Sequence, residues 1–458
     1  MRENAWKKYN KEELTAIFDY CEGYKNYISD CKTERECTTE SIRIIEQYGY
    51  RNLEEIIANQ ETLKPGDKVY ANNMGKGLAM FLIGTQPLTQ GANILGAHID
   101  SPRLDIKQNP LYEDKEFAML ETHYYGGIKK YQWVTLPMAL HGVVVKKDGT
   151  IINVVIGEDD NDPVVGISDL LVHLSATQMA KKASDVIEGE NLNVTVGSMP
   201  LAGEEKDAVK ANILAMLKEK YDFDEDDFAS AEIEVVPAGK ARDYGLDRSM
   251  VFGYGHDDRI CAYTSMMAQL EMEEVERTSI CLLVDKEEVG SIGATGQQSR
   301  FFENTVAEVM DRLGEYNELN LRRALKNSKM LSSDVSAAFD PNYANVNEEK
   351  NTAFMGHGLV FAKYTGSRGK GGCNDANAEF MAELRNIMDD AQVTYQTAEL
   401  GKVDQGGGGT IAYILAQYNM EVIDSGIALH NMHAPWEVAS KIDIWEATLG
   451  YKAFLKKA

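Results

Sequence analysis

The chain has 458 residues, 44% of them hydrophobic and 26% charged, and carries a formal net charge of −25. That composition is ordinary for a globular protein, and the length exceeds what one hydrophobic core supports, so two domains are expected. The acidic excess argues against nucleic acid or an anionic membrane as a partner, because phosphate binding needs a basic surface.

Six cysteines (Cys21, Cys31, Cys37, Cys261, Cys281, Cys373) are scattered with no CxxC pair, which argues against a disulfide framework and a thiolate zinc site. The polar start of the chain and the lack of a membrane-length apolar run lead to an expected cytoplasmic location.

In chain order, residues 3–62 read as helical: Leu14, Ile17, Phe18 and Cys21 recur at helical spacing, as do Ile42, Ile45 and Tyr48. A cap is expected at Thr38–Ser41. After Pro65-Gly66, the runs at 68–71, 78–83 and 93–97 predict strands, the last ending in His98-Ile99-Asp100. From about residue 106 the texture turns β-rich. Short strands are expected at 124–127, 132–137 and 142–145, with a hairpin at Lys147-Asp148-Gly149-Thr150. Helices are predicted near 170–183 and 206–220, and a strand at 232–236. After residue 250, strands at 279–284, 329–333, 358–362 and 420–429 alternate with helices near 301–313, 317–327, 376–391, 409–418 and 438–457. Such alternation is the pattern of a sheet covered by helices. The biased patches are Gly366-Ser-Arg-Gly-Lys-Gly-Gly372 and Gly406-Gly-Gly-Gly409.

Five stretches place candidate metal ligands at loop ends, most of them just past a strand: His98-Ile99-Asp100, His256-Asp257-Asp258-Arg259, Glu287-Glu288, Asp334, and His430-Asn431-Met432-His433. Ligands of open α/β sheets bind outside the carboxyl ends of strands. A mixed histidine and carboxylate set suits zinc, cobalt or manganese. Taken singly, each stretch is more often a cap, a turn or a packed histidine. Five together at strand ends in one domain are hard to explain as packing. In Asp285-Lys-Glu-Glu-Val-Gly-Ser291, two adjacent glutamates at the mouth of a buried strand allow one to bind metal while the other works as a general base.

Gly96-Ala-His-Ile-Asp-Ser-Pro-Arg-Leu-Asp105, Asp285–Ser291, Ser333-Asp334, Gly407-Gly-Gly-Thr410 and Met432-His433 resemble the signature blocks of the aspartyl aminopeptidase family, dinuclear zinc exopeptidases. The resemblance runs in order over nearly the whole chain. It implies an α/β fold: a discontinuous zinc-exopeptidase-like catalytic domain (1–105 and 249–458), with a central mixed sheet and flanking helices, and an inserted β-rich dimerisation domain (106–248). It also implies a cytoplasmic, tetrahedral dodecamer built from dimers.

Carried onto this chain, the resemblance gives His98 and Asp334 to one metal, Glu288 and His433 to the other, and Asp257 as the bridge. Glu287 becomes the general base, and Asp100 orients His98 through its far ring nitrogen. Two divalent ions are implied, zinc with cobalt or manganese as alternatives, about 3.5–4 Å apart and sharing an activated water. His173 and Lys363 are implied to reach the substrate.

One departure stands out. Where many members carry histidines, this chain has Ala337 and Asp340, which puts the implied preference for N-terminal Asp or Glu in question. The expectation is a metal-dependent aminopeptidase acting on peptides with a free N-terminus. The rivals are a related dinuclear carboxypeptidase or deacylase, and a catalytically inactive assembly protein of the same fold.

Overall fold

The computed structural model describes residues 3–458. The chain divides into two compact units: one comprises the residues up to Asp100 with Ala241–Met432 and Glu437–Ala458, the other Ser101–Lys240 with His433–Trp436.

The first unit is built on a nine-stranded mixed sheet. Its spatial order is Arg51–Asn52, Lys68–Asn72, Leu78–Leu82, Thr278–Val284, Ala92–His98, Lys329–Ser333, Glu421–Gly426, Leu359–Ala362 and Tyr395–Thr397. Four central strands, those beginning at Thr278, Ala92, Lys329 and Glu421, run parallel. Their register pairs Val284 with His98 and Ser333 with Ser425. His98, Asp285 and Asp334 therefore leave the sheet along one edge.

Both faces of these strands are apolar, as expected of parallel strands buried on both sides. Leu95, Cys281, Leu331 and Ile423 face the helices His256–Leu270 and Lys441–Lys457. Ile94, Leu282, Met330 and Val422 face Phe301–Arg312, Glu318–Asn327 and Ala412–Ala416. A smaller sheet of the same unit joins Arg242–Tyr244, Met250–Gly253, Glu437–Ser440, Ala428–His430 and Ser336–Ala337.

The second unit holds a six-stranded antiparallel sheet in the order Ile151–Ile156, Met138–Val145, Ala231–Pro237, Arg103–Asp114, Phe117–Tyr125 and Val194–Gly197. Its longest hairpin turns at Lys115-Glu116, both at positive φ (49° and 64°). No Asn-Gly or Asp-Gly marks that turn, and the sequence does not announce it. The hairpin at residues 146–150 is announced, and Gly149 adopts the φ of 88° that the turn needs.

Three expectations are corrected. The second helix, Glu34–Gln47, is capped by Thr33 and not at Thr38–Ser41. Thr33 and Glu36 form a capping box, while Thr38 is buried mid-helix with its hydroxyl donating to the Glu34 carbonyl at 2.9 Å. The stretch 170–183 forms only a turn at Val172–Leu174 and a short helix at Ala176–Met179. Its apolar side chains Leu171, Val172 and Leu174 are exposed, so the packing that stabilises most protein helices is missing. Residues 132–137 are not a strand: Trp133 is fully buried, but Thr135 sits at φ 59°, outside strand geometry.

Buried Asp443, at the start of the C-terminal helix, fastens the entry to the Leu359–Ala362 strand. Its two carboxylate oxygens each accept a backbone N–H, from Gly356 and Gly358, at 2.7 Å. In Asp443→Asn an amide NH2 must face one of those donors. Unfolding by denaturant should show a loss of about 1–3 kcal/mol; an unchanged midpoint and slope would contradict this role.

Candidate metal centre

His98 is the last residue of its strand and is 1% exposed. Its Nδ1 lies 3.0 Å from the Asp100 carbonyl and 3.3 Å from Asp100 Oδ1. Either acceptor holds the ring proton on Nδ1 and leaves Nε2 as an acceptor. Nε2 in turn faces Asp257 Oδ1 at 3.2 Å, Asp334 Oδ1 at 3.8 Å and Glu287 Oε2 at 4.0 Å. A lone pair aimed at three carboxylates is repulsive unless a proton or a metal cation sits among them.

The electrostatics carry the same message. Burial opposes a charge on His98, yet the carboxylates of Asp100, Asp257 and Asp334 outweigh it and hold the ring well above its usual range. Burial pushes Glu287 up to about 8, eased by His98 and reinforced by Asp334, Asp257 and Asp100. Burial likewise raises Asp334. Charges packed this closely need a counter-cation. One ligand atom each from His98, Asp257 and Asp334 lie within 4.8 Å of one another, as do those of His98, Glu287 and Glu288. Nitrogen and carboxylate donors so grouped fit a divalent transition metal such as zinc.

The local chain explains how these groups converge. Glu287–Val289 is a single tight helical turn between Lys286 at φ 69° and Gly290 at φ 93°. The Asp100 carboxylate accepts both the Glu287 N–H (3.1 Å) and the Glu288 N–H (3.2 Å), tying this turn to the His98 strand end. Asp285 serves the turn itself, accepting from the Lys286 N–H at 2.8 Å and the Thr295 hydroxyl at 2.6 Å. The two acids that open the His256–Leu270 helix diverge. Asp257 turns its carboxylate to His98 Nε2, while Asp258, fully buried, accepts the His98 backbone N–H at 3.3 Å.

His433, His173 and Lys363 complete the candidates. His433 belongs to the second unit, at φ 66°, with Nδ1 2.9 Å from the Gly127 carbonyl. His173 is exposed on the Val172–Leu174 turn of that unit. Lys363 follows the Leu359–Ala362 strand and forms a short ion pair with Asp375. Two histidines of the candidate stretches hold backbone or a core hydroxyl. His430 Nε2 meets the Phe339 carbonyl at 2.9 Å, and His256 meets the Tyr24 hydroxyl at 2.6 Å and the Val251 carbonyl at 3.2 Å.

Sequence reasoning missed Glu437 and Asp424. Glu437, 1% exposed, accepts the Asp257 N–H at 3.1 Å. Asp424 sits beside Ser332 in the parallel register, and burial pushes it up to about 7. Each is a carboxylate inside an apolar strand run, and that is the signal that marks them.

Protein stripped of divalent ions should therefore lose stability as pH rises. Glu287 and His98 both have folded pKa values above their ordinary ones, so the folded state binds more protons than the unfolded state and favours low pH. With chelator, the thermal midpoint should fall between about pH 5 and pH 8, and zinc should flatten that slope. A chelated midpoint that holds level or rises over this range would contradict the site.

Residues 27–455 match the family model described as aminopeptidase I zinc metalloprotease (M18). A probable M18 family aminopeptidase 1 of Clostridium acetobutylicum is 69% identical over 453 residues, which is 99% of this chain and 97% of that protein. The crystal structure of an M18 family aminopeptidase from Thermotoga maritima superimposes with a TM-score of 0.95 at 44% identity, covering 100% of both chains. The mApe1 dodecamer of S. cerevisiae shares the fold at a TM-score of 0.76 and 18% identity, over 95% of this chain and 96% of that one. The chain belongs to the aminopeptidase I family of zinc metalloproteases (M18), the family of the aspartyl aminopeptidases, and is a zinc-dependent metallo-aminopeptidase.

Proposed function

We propose that this aminopeptidase removes N-terminal residues from peptides, with preference for Asp and Glu, using two divalent metal ions. His98 and Asp334 would hold one ion, Glu288 and His433 the other, with Asp257 shared. The observation that carries the reading is the convergence of His98, Asp257 and Asp334 within ligating reach, with Glu287 at its margin. When bound, the metals supply Lewis-acid activation of water and of the scissile carbonyl near neutral pH.

The chain's own residues do the rest. Asp100 fixes His98 and the Glu287–Glu288 turn through its carbonyl and carboxylate. Glu437 holds the Asp257 N–H and Asp258 holds the His98 N–H, fixing the backbone of both residues. Glu287 accepts the proton of the attacking water at its carboxylate and passes it to the leaving amine. Burial among acids makes its carboxyl a stronger base than a solvated glutamate.

The assembly we propose is a dodecamer built from dimers through the second unit, located in the cytoplasm. Exposed Leu171, Val172 and Leu174 of that unit give it apolar surface to cover, and all six cysteines are free thiols. A twelve-chain mass in light scattering is expected; a stable monomer would contradict it.

Glu287→Gln should retain its metal while kcat falls by about two to four orders of magnitude. Wild-type turnover in that variant would sink the mechanism. A panel of aminoacyl substrates should rank Asp and Glu above Leu, Ala and Lys, and N-acetylation should abolish cleavage. Turnover of blocked substrates would favour a deacylase instead.

A further inference from the structure

Asp424 is a buried acid that the reaction described above leaves unused. In the sheet register it stands between Ser332 and Ala362, and Ser332 pairs on its other side with Gly96. Strand alternation sets Gly96, Ser332, Asp424 and Ala362 in one row, on the face that carries Ile94, Met330 and Val422. The row ends in a glycine and an alanine, so none of its own side chains reaches over the two polar groups. Gly96 precedes His98 by two residues of strand, so the row lies about 7 Å short of that histidine along the strand.

Asp424 is 3% exposed and Ser332 is fully buried. Among the described residues, neither carboxylate oxygen of Asp424 has a hydrogen-bond partner, and the Ser332 hydroxyl has none. No lysine, arginine or histidine of those residues forms an ion pair with Asp424. Burial opposes its charge and nearby Asp334 adds to that, while the Thr410 hydroxyl, at the end of the second glycine-rich run, lies beside the carboxylate and favours it. A buried carboxylate without donors is costly, and proteins rarely leave one so.

The donors fit a hard cation of single charge. One carboxylate and neutral hydroxyls are all oxygen ligands, whereas transition-metal sites draw on imidazole and thiolate. Calcium sites gather several carboxylates, and magnesium demands a regular octahedron and keeps its waters. One negative charge balances one positive charge. Thr365, whose hydroxyl is also buried without a partner, lines a cavity of about 360 Å³ beside the glycine-rich loops. Burial raises the Cys373 thiol, and both Thr365 and Asp424 act on it, so this cavity brings solvent to the same corner of the sheet.

We propose that the Asp424 carboxylate, with the hydroxyls of Ser332 and Thr410, binds a monovalent alkali cation. Its effect falls on Asp334. The Asp334 N–H donates to the Ser425 carbonyl at 2.8 Å, and a Cβ at Gly426 would lie 1.8 Å from the Asp334 carbonyl oxygen. Asp334 is therefore seated directly on the strand that bears Asp424. A cation there holds that strand to its neighbour Lys329–Ser333 and offsets the repulsion between the two acids. The site does not depend on the substrate preference proposed above.

The test uses zinc-loaded, full-length protein and its Asp424→Asn and Ser332→Ala variants. Thermal midpoints are compared in sodium, potassium and tetramethylammonium chloride at equal ionic strength, the last cation being too large to enter. Sodium or potassium should raise the wild-type midpoint by about 2–4 °C over tetramethylammonium, and the stronger of the two is the preferred ion. Asp424→Asn should lose that dependence, and Ser332→Ala should need a several-fold higher concentration of the same ion for half the effect. Wild-type crystals soaked in thallium(I) acetate should show an anomalous peak beside Asp424. A wild-type midpoint equal in the three salts, a dependence retained in Asp424→Asn, or ordered water in place of the anomalous peak would overturn the proposal. If Asp424→Asn does not fold, an unchanged half-effect concentration in Ser332→Ala overturns it instead.

Discussion

The constraint on which the active edge depends is the burial of many like charges around one histidine. Asp257, Asp258, Asp334 and Glu287 crowd the carboxyl end of the parallel strands, and burial disfavours the ionised forms of Asp258, Asp334 and Glu287. The fold resolves part of this conflict with backbone donors. Asp100 accepts two N–H groups of the Glu287–Glu288 turn, and Asp258 accepts that of His98. Glu437 accepts the Asp257 N–H. The carboxylates of Asp257 and Asp334 that face His98 Nε2 have, with that nitrogen, the donor chemistry of a transition-metal site.

This division of labour separates adjacent acids that look equivalent in sequence. Asp257 and Asp258 differ because the chain at the start of their helix points one carboxylate at the ring of His98 and the other at its backbone. Asp285 stabilises the turn that presents Glu287 and Glu288 rather than joining them. A pair of neighbouring acids at a strand mouth is therefore a unit in which one member builds the platform and the other works from it.

Much of the first unit was legible in the sequence. Apolar β-branched runs marked the central strands, and the ligand-bearing stretches fell just beyond them, because parallel strands need apolar faces on both sides and leave polar work to their ends. The less legible parts have physical causes. Thr33 competed with Thr38 for the helix cap, and its reciprocal bond with Glu36 decided the outcome. Leu171, Val172 and Leu174 have helical spacing but nothing in their own chain to pack against. Lys115-Glu116 turns a long hairpin without a turn residue that pattern rules detect. Glu437 and Asp424 carry a signal, an acid inside an apolar run, but a single acid there does not say what it faces.

The most direct test of the account is the metal content of the chain and of its Asp257→Ala variant, measured by atomic emission after loading with zinc and exhaustive dialysis. The account predicts two zinc ions per wild-type chain and a marked loss from the variant, because the shared ligand and its charge are gone while Glu287 and the fold remain. Zinc content equal in the two proteins, or none retained by the wild type, would contradict it.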